Sequence, residues 1–240
     1  MVVGGVHETI NGGGGADVIE VTGVTIGATI NGGAGASELE LTTGGTAVMG
    51  ANITSIHKVV LKHAATFTAN CLGGLTVVGS ANADTLIAGG TQQTLTGEAG
   101  ADTLVGWSGG GGTFLDKSAN LNGDTLQNFT APGDVIDLTD MSAKNVIVAF
   151  AAGVLTVTSG KTKAAIKLTG TFAATDFHAM SDGAKGTDIT YTAPAGPSAA
   201  GFAQTLASFA PRSDDAASTP LASPASSAPL LATPIANRPV

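Results

Sequence analysis

An aspartate precedes the same Thr-Leu pair at two places one regular interval apart: Asp84-Thr85-Leu86 and Asp102-Thr103-Leu104 lie 18 residues apart, with Gln93-Thr94-Leu95 midway between them. The turns ahead of such aspartates are rich in glycine. Gly12-Gly13-Gly14-Gly15-Ala16-Asp17 fits a nine-residue pattern, Gly-Gly-x-Gly-x-Asp-x-apolar-x, and Gly97-Glu98-Ala99-Gly100-Ala101-Asp102 fits it with Glu98 in place of the second glycine. A carboxylate at the end of a tight turn meets the turn's own backbone carbonyls. That all-oxygen environment suits a hard cation such as Ca²⁺.

Positioning those carboxylates requires stacked coils. Glycine turns the chain where φ must be positive, and the apolar position of the short strand that follows points inward. Two strands per 18-residue coil would put Leu86, Leu95 and Leu104 in one core and bring Asp84 and Asp102 to the same edge of adjacent coils. An earlier pair, Ile10 to Asp17 and Ile30 to Ser37, repeats at a slightly longer interval with Ser37 in place of the aspartate. Looser echoes follow at Asn122-Gly123-Asp124-Thr125-Leu126 and Gly133-Asp134-Val135-Ile136-Asp137-Leu138. Ile53 to Thr68 reads as irregular coil of the same kind. Val146 to Phe150 and Val154 to Thr158 then read as a hairpin and Lys163 to Leu168 as a further strand, a terminal module that would cover the exposed end of the stack.

Composition supports an all-β chain. Charged residues are 12% and aromatics 4%, while the 35 glycines come with abundant threonine and valine, which are poor helix formers. The net charge of −8 disfavours nucleic acid and anionic membrane surfaces as partners, and no apolar run is long enough to cross a bilayer. One cysteine, Cys71, allows no internal disulfide. Met1 to Gly5 has neither the basic flank nor the apolar stretch of a cleavable signal peptide, so export would need another address. Eight of the nine prolines follow Tyr191 among alanine and serine, which predicts a disordered tail with a helical-spaced stripe at Phe202, Leu206 and Phe209.

Other chemistry is weaker. Gly106-Trp107-Ser108-Gly109-Gly110 matches a nucleophile elbow, with Asp137 and His178 following in hydrolase order, but the glycines after it cannot start the helix that an elbow needs. His7, His57, His63 and His178 lack partners at zinc spacing, and Glu38 and Glu40 read as an outward strand face. No catalytic residue is assigned, and the chain is expected not to be an enzyme.

The repeats and their spacing resemble the repeats-in-toxin, or hemolysin-type calcium-binding, family of bacterial secreted proteins. The resemblance is specific over residues 79 to 105, looser over 10 to 41, and resumes at Gly133 to Leu138 and Asp182 to Tyr191. It implies a parallel β-roll, Ca²⁺ held between coils, and export by a type I secretion apparatus reading an uncleaved C-terminal signal. By position, Asp84 and Asp102 match the ligand aspartates, and carbonyls of Gly79, Ala81, Asn82, Gly97, Ala99 and Gly100 would complete the shell. Asn82 stands where the family has glycine, a place asparagine can take because it enters the left-handed region readily. Asp17 is a half-site, since its partner coil carries Ser37.

The resulting expectation is a parallel β-roll or β-solenoid with a β-rich cap. It would comprise a degenerate glycine-rich region over 1–62, calcium-binding repeats over 63–140, a capping module over 141–192 and a disordered tail over 193–240. The expected role is a secreted, extracellular protein whose folding is coupled to Ca²⁺, with no membrane insertion. The alternative is a structural or adhesive surface segment to which calcium is incidental.

Overall fold

The computed structural model describes residues 2–3, 8–22, 28–129 and 133–193. The expectations for the proline-rich tail and its Phe202, Leu206 and Phe209 stripe lie outside the described residues. Residues 1 to 194 form one compact unit.

That unit is an all-β solenoid of about six turns. Its longest sheet runs, in spatial order, through Val2–Val3, Val18–Val21, Ser37–Leu41, Ile56–Leu61, Thr76–Val78, Thr94–Thr96, Thr113–Asp116 and Val135–Leu138, each pair parallel. A second sheet runs through Gly45–Val48, Ala65–Thr68, Thr85–Ile87, Thr103–Val105 and Thr125–Gln127, again parallel. A third and shorter one joins Thr9–Asn11, Thr29–Asn31 and Ile53–Thr54.

The coil changes shape along the axis. A full early coil visits all three sheets: Thr29–Asn31, then Ser37–Leu41, then Gly45–Val48. From Ala65 to Leu138 strands alternate between two sheets alone, as a roll. Register records the change, because Ile19 lies beside Leu39, whereas Thr76 lies beside Thr94 and Leu86 beside Leu104, a shorter step along the chain. The next coil lengthens again, with Thr103 beside Thr125. The short helix Ser118–Leu121 accommodates the extra chain.

Alternation explains which residues form the core. In each three-residue strand the middle side chain is buried and its neighbours are mostly less so, and Val77, Leu86, Leu95, Leu104 and Leu126 stack along the axis with at most 2% of their surface exposed. Each such burial contributes about 1.5–3 kcal/mol. Glu38 and Glu40 face outward as the sequence suggests, paired with Lys58 at 3.0 Å and Lys62 at 2.6 Å.

The C-terminal end switches from parallel to antiparallel pairing. Val135–Leu138 pairs antiparallel with Thr187–Tyr191, which pairs with Phe177–Ser181. On the other sheet Thr125–Gln127 is followed by Thr162–Leu168, then Val154–Ser159, then Ile147–Ala151. Between the two closing layers Phe129, Phe150, Phe172, Phe177 and Tyr191 pack ring on ring, with centroids as close as 5.1 Å for Phe172 and Tyr191. A solenoid end leaves its core layer uncovered, and large rings cover it with few residues.

Candidate metal centre at the carboxylate edge

Turns that carry the chain from the long sheet to the second sheet lie along one edge of the roll. Three successive ones end at Asp84, Asp102 and Asp124, each immediately before a strand of the second sheet. Register aligns Thr85 with Thr103 and Thr103 with Thr125, so the three aspartates stack. All are buried.

Each carboxylate caps the coil before it. Asp84 Oδ1 accepts the N–H of Ala65 at 2.6 Å, Asp102 Oδ1 that of Asp84 at 2.7 Å, and Asp124 Oδ1 that of Asp102 at 2.8 Å. The same device recurs with Asp116 accepting from Glu98, Asp134 from Gly112, Asp140 from Ser118, and Ser37 from Asp17. These amides sit at corners where the strand ladder has stopped, and a buried N–H without a partner is costly. Gln93 does related work on the opposite edge, where its side chain accepts from the Gly89 N–H and donates to the carbonyls of Asn70 and Leu72.

The second carboxylate oxygens differ. Asp84 Oδ2 accepts from both the N–H and the hydroxyl of Ser80. Asp102 Oδ2 and Asp124 Oδ2 are buried and have no hydrogen-bond partner among the described residues, and the same holds for Asp17 Oδ2. Burial pushes the Asp102 carboxyl from an ordinary 3.8 up to about 6, with the charges of Asp84 and Asp116 adding to the push and the hydrogen bond from Asp84 opposing it. Burial pushes Asp124 to about 7, against the hydrogen bond from Asp102; the charges of Asp102 and Asp116 add to the rise, and Lys167 is the one cation that offsets it.

Space in the turns is tight and lined with oxygen. A Cβ on Gly97 would come within 2.6 Å of Asp102 Oδ2, and one on Gly100 within 2.8 Å of Asp102 Oδ1 and 2.9 Å of the Asn82 carbonyl oxygen. A Cβ on Gly79 would meet the Gly97 carbonyl oxygen at 2.5 Å and Asp84 Oδ2 at 3.0 Å. Carboxylate and carbonyl oxygens of this kind fit a hard cation. Among the described residues no three His, Cys, Asp or Glu side chains come together as a metal-holding group, so any ion here would draw on backbone carbonyls as well.

The structure therefore brings Asp84 and Asp102 together with the turns that carry Gly79, Ala81, Asn82, Gly97, Ala99 and Gly100. It adds Asp124, whose unpartnered oxygen makes Asp102 and Asp124 the better-matched pair. The clue was the repeated Asp-Thr-Leu tripeptide, obscured by a longer interval between its second and third copies. One expectation needs correction. Asn82 is not left-handed; Glu98 is, at φ 64°, because the bend falls one residue after the first glycine of its turn. Asp17 and Ser37 lie at a different corner, in turns that lead from the third sheet into the long sheet, and take no part in the Asp84–Asp124 stack.

After Ser108 the chain passes through Gly110 and Gly111, both at positive φ, into the strand Thr113–Asp116, where an elbow would need a helix. His63 lies in a bend after Ile56–Leu61 rather than within the strand. Comparison with known proteins gives no match: no family model, no curated protein and no solved structure aligns with the chain.

Proposed function

We propose that this chain is a calcium-binding β-roll, secreted and folded with the help of extracellular Ca²⁺, and that Asp102 and Asp124 supply the carboxylates of its principal site. One observation carries this reading: two stacked, buried carboxylates each keep an oxygen without a hydrogen-bond partner among the described residues, and the turn of Asp102 is lined by carbonyls. Buried like charges raise the free energy of the folded chain, and a divalent cation between them reverses the sign of that contribution. Calcium at about ten times its Kd would stabilise the fold by about 1.4 kcal/mol. Extracellular modules bind with Kd of about 10⁻⁴ to 10⁻³ M, so a chain loose in a low-calcium cytosol would tighten after export. The resemblance to repeats-in-toxin proteins makes a type I secretion apparatus the expected partner for that export.

Thermal unfolding followed by circular dichroism, in millimolar Ca²⁺ and in chelator, tests the proposal. Calcium should raise the midpoint for the native chain and fail to do so for Asp102→Asn and Asp124→Asn. An asparagine oxygen can still cap the preceding N–H, so these variants remove charge and leave the corner bonded. A calcium shift that survives in both variants would place the ion elsewhere, and no shift in the native chain would end the proposal.

A second reading rests on the capping bonds themselves. If the aspartates serve only to close corner amides, the protein is a structural or adhesive surface spacer to which calcium is incidental. Asp84, with both oxygens occupied by N–H and hydroxyl donors, favours that role at its own corner.

A further inference from the structure

The charges of this acidic chain are sorted in space. From Met141 to Thr175 there are four lysines, Lys144, Lys161, Lys163 and Lys167, and no aspartate or glutamate. This stretch folds as the antiparallel meander of Ile147–Ala151, Val154–Ser159 and Thr162–Leu168. Leu155, Val157, Ala164, Ile166 and Leu168 are buried on its inner face, so Lys163 and Lys167 project outward. All four lysines are exposed.

Register draws three of them around one apolar side chain. Ile147, Thr158 and Lys163 form a row across the three strands. Lys161 lies in the turn beside that row, and the Ser159 hydroxyl donates to the Ser142 carbonyl at 2.7 Å and reaches that of Lys144 at 3.4 Å, bringing Lys144 to the same end. Ile147 is 67% exposed, the most exposed large apolar residue described. None of the four lysines is in an ion pair among the described residues, where the pairs are Lys58–Glu38 and Lys62–Glu40. The charge of Lys167 acts in part on the buried Asp124, and Lys144, Lys161 and Lys163 form the remaining group.

We propose that this face docks on an anionic lipid surface, with Lys144, Lys161 and Lys163 among the headgroups and Ile147 entering the interfacial layer. Lysine is a flexible point charge that suits a fluid layer of anions, whereas a fixed oxyanion is better held by the planar fork of arginine, which this face lacks. An aliphatic side chain at the centre of the cations gains by leaving water at a lipid interface, and the meander's outward face offers no aromatic ring on which a base or sugar could stack. The net charge of −8 disfavours such a surface only when spread over the whole molecule. Charges more than a Debye length of about 8 Å from the contact are largely screened. This inference does not depend on calcium binding at the carboxylate edge.

The test is co-sedimentation of the full chain, in millimolar Ca²⁺, with vesicles of phosphatidylcholine and of phosphatidylcholine plus phosphatidylserine. Binding is expected to the serine-containing vesicles alone and should weaken as salt rises. At about 1 kcal/mol, or roughly fivefold, per lysine, the triple variant Lys144→Gln, Lys161→Gln, Lys163→Gln should bind on the order of 100-fold more weakly. Ile147→Ser should lose several-fold with the salt dependence intact. These side chains are exposed, so unchanged circular dichroism and melting should accompany the loss. Equal binding to both vesicle types, binding to inorganic polyphosphate but not to vesicles, or serine-dependent binding unaltered by the triple variant would overturn the proposal. The last outcome would mark calcium bridging and leave the reading of the carboxylate edge standing.

Discussion

The turns at Gly12–Asp17 and Gly32–Ser37 and those ending at Asp84, Asp102 and Asp124 start from similar sequences and are held together in different ways. In the first pair, backbone stacks on backbone: the Gly15 N–H donates to the Ala34 carbonyl, the Ala34 N–H to the Gly13 carbonyl, and the Gly12 N–H to the Asn31 carbonyl. Positive φ at Gly13, Gly15, Gly33 and Gly35 makes this possible. A Cβ on Gly33 would overlap the Gly13 backbone. In the second group the coils are joined by carboxylates that reach back one coil, and the turns need positive φ at Glu98 alone among residues 79–84 and 97–102. Where backbone joins the coils, Asp17 stands alone, because the coil stacked on it carries Ser37 at the matching position. Where side chains join them, like charges collect in a buried row. Calcium dependence should therefore be concentrated in the two-sided roll and weak in the three-sided coils.

The largest effect is expected from breaking the backbone stack. Gly33→Ala forces a left-handed alanine into the space of the Gly13 backbone and should destabilise the fold by about 2–4 kcal/mol, read as a lower midpoint in urea with or without calcium.

Next comes pH. The Asp102 and Asp124 carboxyls titrate near 6 and 7 in the folded chain, above the ordinary 3.8, so the folded state holds protons that the unfolded state has released. Their contribution is most favourable below about pH 4 and is lost as pH rises through 7. Metal-free protein should accordingly unfold more readily at pH 8 than at pH 5, and Asp124→Asn should flatten that difference and raise stability at pH 8 by about 1–3 kcal/mol. Calcium needs the ionised forms, so its affinity should fall over the same window on acidification. Chelator-treated protein that is more stable at pH 8 than at pH 5 would contradict the proposed electrostatics.

The smallest effect belongs to Glu98→Gly. Relief of a left-handed glutamate contributes about 1 kcal/mol, and the greater freedom of glycine in the unfolded chain offsets part of it, leaving a few tenths of a kcal/mol of stabilisation in a urea titration. A loss above about 1 kcal/mol would mean that the Glu98 side chain holds its turn in a way the comparison omits.

Much of the roll was legible in the chain. The recurrence of Asp-Thr-Leu at Asp84 and Asp102, with Gln93-Thr94-Leu95 midway, implied two strands per coil, the inward leucines and the stacking of Asp84 on Asp102. The closing hairpin and third strand were legible too, because Val154 to Thr158 and Lys163 to Leu168 alternate cleanly. Asp124 was hidden because Ser118–Leu121 lengthens its coil and breaks the interval on which the reading depended. Glu98 and Asn82 were exchanged as the left-handed residue because permissiveness says which residue tolerates a bend and not where the bend falls. The third sheet left one signal, the longer interval from Ile10 to Ile30, and that interval does not name a sheet, since the turn at Gly12 to Asp17 looks the same whichever sheets it joins.

Residue order by itself determined what is local: which side chain of each short strand points inward, where the chain turns, and that carboxylates sit at turn ends. A strand alternates every residue and a glycine turn bends within a few, so both are written in short windows. Tertiary structure alone decided which atoms meet across coils. It left Asp102 and Asp124 each with an oxygen lacking a partner among the described residues, and it gathered Lys144, Lys161 and Lys163 around Ile147. Those encounters depend on lateral register between segments a whole coil apart, fixed only when every coil has closed on the one before it.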